Sequence, residues 1–183
     1  MARAGIVRVT MEDLVLAMPC REFIAVRGFS GKIDMAVLDS LQDDTWFTVP
    51  QAIQADPTAV VVRLALIIVQ DDVVLVGRDG QVLIQELVPP EAYAVKTGLG
   101  ALKLFAEQCV LQVVGARSRV ELAGLVHEPK LLPRQVLLVY RAVVPSGTAA
   151  GEGVWQSPAE IIQGDFAWLD QAVVGAILRR TPT

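Results

Sequence analysis

The sequence predicts an α+β fold: a mixed β-sheet sandwiched by helices, with an N-terminal α/β extension. Three observations predict it. Ala59–Val69 and Gln135–Val144 are dense in Val, Leu and Ile, as buried strands are. Between them, Leu102, Phe105 and Cys109 recur at i, i+3 and i+7, the spacing of one helix face. Gly, Pro and Asp clusters separate the segments, and Asp56-Pro57 divides an extension, 1–57, from a main domain, 58–183. The extension is expected to pack on the core.

Each element has a local reason. Leu14–Met18 is a short apolar run stopped by Pro19, hence a strand. Gly28 and Gly31 mark a loop. Ile33–Leu41 carries apolar residues at 33, 37, 38 and 41, a helical face. Val49–Ala55 is a second short helix, with Pro50 in its first turn. Val60–Val69 is a buried strand and Asp71-Asp72 a turn. Val73–Val76 and Gln81–Glu86 are two more strands, joined by the hairpin signal Asp79-Gly80, so an antiparallel meander is expected. Pro89-Pro90 ends it.

A helix follows Gly98 and Gly100. Val120–Val126 and Gln135–Val144 are strands linked through Pro129 and Pro133. Pro145–Gly153 is small, polar and glycine-rich, an exposed loop expected to be mobile. Phe166–Leu169 is expected as a short strand. Asp170 then caps a closing helix that ends near Arg179 and Arg180, where the dipole favours cations.

Composition excludes several classes. Hydrophobic residues make up 53% of the 183, above the usual ~45–50%, yet aromatics are only 5%. That excess is aliphatic, so a large core, a subunit interface or both are expected. The net charge is −4, unsuited to a nucleic-acid backbone. Two distant cysteines and one histidine make a zinc site implausible. No signal-like segment opens the chain, and no apolar run approaches the ~20 residues of a membrane span. A cytoplasmic protein is expected, with no membrane and no nucleic-acid partner.

Lys103-Leu104-Phe105-Ala106-Glu107-Gln108-Cys109-Val110-Leu111 resembles the end of a Nudix box. The order of elements is similar to that of the Nudix superfamily. So are the opening strand Leu64–Val76, the strand Val136–Ala142 after the box, and the Trp-led segment Phe166–Asp170. Gly28-Phe29 and Asp56-Pro57 further resemble the predicted-phosphoesterase branch. The resemblance implies a Nudix-like fold and, in a complete box, glutamates on a helix that hold Mg²⁺ against a diphosphate.

The box is degenerate. With its end at Leu111, Pro89 falls at the glycine and Val95 at the first glutamate. Lys103 falls at the arginine, Leu104 at the next glutamate, Glu107 and Gln108 at the paired glutamates, and Val110 at the last glycine. A second register makes Tyr93–Gly100 the glycine-bearing strand before a shortened box, and it recovers no further acids. Positions 104, 107 and 108 share one helical face, where three carboxylates would converge on Mg²⁺. Here that face offers one.

The expected role is a pseudoenzyme: a degenerate Nudix-fold module that binds a nucleotide-like small molecule or a protein, without Mg²⁺-dependent diphosphate hydrolysis. No catalytic residue and no cofactor are assigned. The alternative is an active, atypical phosphohydrolase of a nucleoside diphosphate derivative, using Mg²⁺ and drawing on Glu86, Glu91, Glu121 or Glu128. A structural homodimer is the third reading, and a homodimer is the expected assembly.

The ligand-binding candidates are Arg63, Lys103, Glu107, Tyr140 and Trp155, with Glu107 the one weak metal candidate. Arg63 is a charge inside an apolar strand, so it must face solvent, a partner or a pocket. Lys103 and Glu107 stand at i and i+4, and an ion pair between them is expected. Trp155 follows a glycine-rich loop and would either stack on a ligand or pack on the sheet edge. His127 is expected as a polar residue at a strand edge. No basic neighbourhood marks Cys20 or Cys109 as a nucleophile, and Cys109 is expected to pack inertly. Gly98-Leu99-Gly100 lacks the context of a phosphate loop and is expected as a plain pre-helix loop.

Overall fold

The computed structural model describes residues 13–20, 27–130 and 132–178. Strands are β1 (Val15–Pro19), β2 (Gly28–Ser30), β3 (Trp46–Thr48), β4 (Ala59–Gln70), β5 (Val73–Val76), β6 (Ile84–Leu87), β7 (Arg119–His127), β8 (Gln135–Val143) and β9 (Val154–Gln156). Helices are α1 (Met35–Asp43), α2 (Pro50–Ala55), α3 (Gly98–Val114), α4 (Pro158–Gln163) and α5 (Trp168–Leu178). The α+β sandwich that the sequence predicts is the observed architecture.

β4 organises the sheet. Along one edge it pairs parallel with β8, from Val61↔Gln135 to Val69↔Val143. Its other edge is shared end to end by three short antiparallel strands: β1 at Ala59–Val61, β6 at Arg63–Leu66 and β5 at Val69–Gln70. β7 and β2 extend the sheet beyond β8, and β3 extends it beyond β1. Residues before Asp56 thus supply three strands to the same sheet as the rest.

Alternation along β4 divides the core into two layers. Val60, Val62, Leu64, Leu66 and Ile68 join Leu102, Ala106 and Val110 of α3 and Val37 and Leu41 of α1. Ala65, Ile67 and Val69 join Val173, Val174 and Ile177 of α5 and Ile161 of α4. Helices on both faces let the strand be apolar on both sides, so it reads as a hydrophobic run broken at Arg63.

Several expectations need correction. Asp79-Gly80 does turn the chain, with Gly77 N donating to Gln81 O at 2.8 Å, but it does not join paired neighbours. β5 and β6 both pair with β4, so the hairpin sits at Asp71-Asp72 and residues 77–83 are an excursion from one interrupted return strand. Val82 and Leu83 are buried beside α5, which explains the excursion.

Gly28 begins strand β2 rather than a loop, because β7 offers it an edge. Gly124, at a register shift in β7, permits that approach: a Cβ there would stand 2.7 Å from the Phe29 ring and clash with Ser30 O. Phe166–Leu169 is not a strand; α5 starts at Trp168, and its buried Leu169, Val173, Val174 and Ile177 follow helical spacing. Arg179 and Arg180 lie outside the described residues.

Besides β2, the elements β3, β9 and α4 were not expected. β3 and β9 are three-residue edge strands with no room for a pattern. α4 has a sequence signal, the capping box Ser157-Pro-Ala-Glu160, with Ser157 Oγ and the Glu160 carboxylate each closing on the other's backbone N–H. The Pro145–Gly153 loop is tied down. Gln70 Nε2 donates to Pro145 O at 2.9 Å and to Thr148 O at 3.3 Å, and Ser146 Oγ donates to Asp71 at 2.6 Å.

Two side chains lock distant segments. Arg134 donates from Nη1 to Ile53 O (2.5 Å) and Gln54 O (2.9 Å), and from Nη2 to Asp56 O. One guanidinium thereby serves the carbonyls at the end of α2 and fixes it to the start of β8. Arg134→Ala is expected to cost about 1–3 kcal/mol in urea denaturation, since charge-assisted bonds to part-buried and exposed carbonyls are lost. Arg134→Lys recovers less than half, because one ammonium cannot span the three acceptors.

Asp170 does not cap its own helix. It is buried in the first turn of α5 and accepts from Val82 N (3.1 Å) and Leu83 N (3.3 Å). Burial raises its carboxyl above the usual 3.8, outweighing those two bonds. The folded chain therefore holds this proton more tightly than the unfolded one, and its contribution to stability falls as pH rises past about 4. Wild type is expected to lose stability relative to Asp170→Asn as pH is raised from about 3 through that range. A pH-independent difference in urea midpoints would contradict this.

Candidate functional site

The face of α3 that would carry the metal opens onto a cleft. Leu111 follows Glu107 by one turn on that face. After Val114, Gly115 takes φ +67° as the C-cap, and its N–H returns to Leu111 O at 2.9 Å. The reversal lays Arg117 and Ser118 alongside the last turns of the helix. Glu107, Gln108, Leu111, Arg117 and Ser118 line a cleft of about 310 Å³.

Its chemistry is mixed: one carboxylate, one carboxamide, one guanidinium and one hydroxyl. Ser118 Oγ is buried and has no hydrogen-bond partner within the protein. A donor–acceptor left unmade in this way is costly unless something outside the chain satisfies it. Glu107 is half-buried and Gln108 exposed. Lys103, one turn earlier, is exposed and makes no ion pair with Glu107, contrary to expectation. Holding two long side chains in one geometry at a solvated surface gains too little.

The donor set does not fit Mg²⁺. That ion takes oxygen ligands in octahedral array and is usually anchored by carboxylates. The cleft supplies one carboxylate, and the Arg117 charge beside it opposes a dication. Among the described residues, no three His, Cys, Asp or Glu side chains stand together in a way that would hold a metal. Glu121 is ion-paired with Arg141 at 3.4 Å, Glu86 lies on β6 beside Cys109, and Glu128 lies in the β7–β8 connection.

The other candidates are dispersed. Arg63 alternates with Val62 and Leu64, so it lies on the opposite face of the sheet from α3, with Nε buried and unpartnered. Tyr140 is only 2% exposed, beneath α3, and burial pushes its hydroxyl pKa well up. Trp155 packs on the α3-side core and donates its indole N–H to Thr148 O at 3.0 Å. Of the five, Glu107 lines the cleft. Arg117 and Ser118 were missed; a polar pair just past a helix-ending glycine was their only signal.

The start of α3 is already occupied. Gly98 and Gly100 form its first turn rather than a preceding loop, and Gln42 Oε1 accepts from Leu99 N at 3.2 Å. Gly98 adopts φ +55° and has no room for a side chain, since a Cβ would stand 2.6 Å from Gln42 Oε1. Cys109 is buried, and that burial, with Glu86 adding to it, raises its thiol to about 11. It is inert packing at neutral pH.

The fold is Nudix-like. The crystal structure of Tm1382, a proposed Nudix hydrolase, superposes with a TM-score of 0.73 over 92% of this chain and 99% of that one, at 16% identity. A Nudix-family hydrolase from Clostridium perfringens aligns at 0.45 over 64% of this chain and 95% of its own, at 14% identity. The solution structure of the E. coli ORF135 protein aligns at 0.42 over 64% and 88%, at 22% identity. No protein-family profile and no curated sequence matches the chain. Among the described residues, no helix is long and apolar enough to cross a membrane.

One outcome tests the cleft directly. Ser118→Ala removes a buried hydroxyl without a protein partner, so it is expected to leave stability unchanged or raise it by up to about 1 kcal/mol in thermal unfolding. A loss of about 1 kcal/mol or more would show that a bound water or ligand satisfies Ser118.

Proposed function

We propose that this chain is a Nudix-fold binding module whose box helix has exchanged metal-assisted hydrolysis for recognition of a small polar ligand. One observation supports the reading above others. The helical face that would carry three carboxylates carries Leu104, Glu107 and Gln108, and its cleft adds a guanidinium and an orphan hydroxyl. Glu107 accepts from a ligand donor, while Arg117 and Ser118 serve its acceptors. A nucleotide-like molecule offers both kinds of group on one edge.

The test is a panel of nucleoside diphosphate derivatives with Mg²⁺ or Mn²⁺, read both as turnover and as thermal stabilisation. Turnover is expected to equal that of metal and buffer alone. A bound ligand at a hundred times its Kd adds about 2.7 kcal/mol, hence roughly 5–10 °C in Tm for a chain of this size. Glu107→Gln is expected to weaken that shift without unfolding the chain. Metal-dependent turnover in wild type that disappears in Glu107→Gln would overturn the proposal in favour of an atypical hydrolase.

A further inference from the structure

The face of β4 turned away from α3 carries two apolar clusters rather than one. Val61 packs with Val15, Ala17 and Ile53 of α2, while Ala65 packs with Leu137 and with Val173 of α5. Arg63 stands between Val61 and Ala65, at the seam of the two clusters. Arg134 fixes one wall of that seam, because its bonds hold the end of α2 at the start of β8.

Strand register supplies the neighbours of Arg63. Leu87 of β6 lies across one edge and Leu137 of β8 across the other. Val61 pairs with Gln135 and Ala65 with Gln85, so both carboxamides share this face. None of these neighbouring positions carries a charge. Among the described residues, the Arg63 side chain makes no hydrogen bond and no ion pair.

Two polar atoms at the seam are buried and unsatisfied: the donor Arg63 Nε and the acceptor Gln135 Oε1. Their residues are diagonal neighbours, with Cα atoms roughly 8 Å apart at ordinary strand spacings. No hydrogen bond joins them. A buried donor and a buried acceptor left open on one surface are costly unless an outside group meets both. Water can make both hydrogen bonds but cannot neutralise the guanidinium. Leu87, 48% exposed beside Arg63, adds an apolar contact.

We propose that this seam binds a carboxylate that carries an N–H donor and an apolar side group, the chemistry of an N-acylated amino acid or of a peptide's last residue. The carboxylate accepts from Arg63, whose planar guanidinium matches it in shape and charge. The N–H donates to Gln135 Oε1, and the apolar group covers Leu87. A simple anion would meet the charge and leave the other two groups unanswered. The seam lies on the opposite face of the sheet from the α3 cleft, so neither reading depends on the other.

The probes are N-acetylleucine, N-acetylleucinamide, acetate and an acetylated tetrapeptide ending in leucine with a free carboxylate. Each is titrated into the full chain at constant ionic strength and followed by the backbone amide signals in NMR. N-acetylleucine is expected to shift the Leu87 and Gln135 signals saturably and to leave those of Glu107 and Ser118 in place. The amide and acetate are expected to bind at least about tenfold more weakly, the size of one charge-assisted bond. Arg63→Met is expected to weaken N-acetylleucine by the same factor and to melt no lower than wild type, since it removes an unpaired, half-buried charge. Gln135→Glu places a carboxylate beside the guanidinium, so it is expected to raise the melting temperature and to block N-acetylleucine.

Tighter binding of the tetrapeptide identifies a chain terminus as the ligand; equal or weaker binding identifies a single acylated residue. The proposal fails if N-acetylleucine and its amide shift these signals alike. It fails equally if Arg63→Met, with wild-type circular dichroism, binds N-acetylleucine unchanged. If N-acetylleucine shifts nothing, the two orphan atoms hold water only and the proposal is overturned.

Discussion

Everything in this structure hangs on β4. A twelve-residue strand with both edges paired and both faces covered is the most constrained object a small domain can contain. Its parallel pairing with β8 forces a long connection between the two, and that connection contains α3. Its other edge is longer than any one partner, so β1, β6 and β5 divide it. Each dividing strand brings a loop with it. The rim at the start of β4 therefore collects Cys20, Pro57 and Arg134, while the far rim collects the tethered Pro145–Gly153 loop.

Two charged side chains then tie distant segments together. Arg134 and Asp170 do equivalent jobs for different helices, α2 and α5. Each is a charged side chain that accommodates unpaired backbone groups of a segment far away in sequence: carbonyls for the guanidinium, N–H groups for the carboxylate. Apolar packing alone would hold α2 and α5 against the sheet but would leave those backbone groups unsatisfied. Such locks are costly to form and costlier to break, which makes them good register pins in a core otherwise built of interchangeable aliphatics.

The Nudix-like frame does not depend on what α3 presents to solvent. A helix is retained for its packed face, here Leu102, Ala106, Cys109 and Val110, whatever happens on its solvent face. A solvent face with a single carboxylate costs the fold nothing, since like charges at i and i+4 repel without a cation. Glu107 was legible in advance because its position follows from helical geometry. Arg117 and Ser118 were not, because their place beside it depends on the direction in which the chain leaves Gly115.

What the sequence determined by itself was local or periodic: the buried strands β4 and β8, the helices α1, α2 and α3, and the count of acids on one helical face. These follow from side-chain spacing and from backbone restrictions at Pro and Gly, which act within a few residues. Tertiary structure decided which strands share an edge, and so turned the expected meander into an interrupted return strand. It also moved Asp170 from its own helix to Val82 and Leu83. And it brought Cys20 and His127, more than a hundred residues apart, to the lining of one cavity. Pairing of strand edges is non-local, and no spacing along the chain encodes which ends of the sheet will meet.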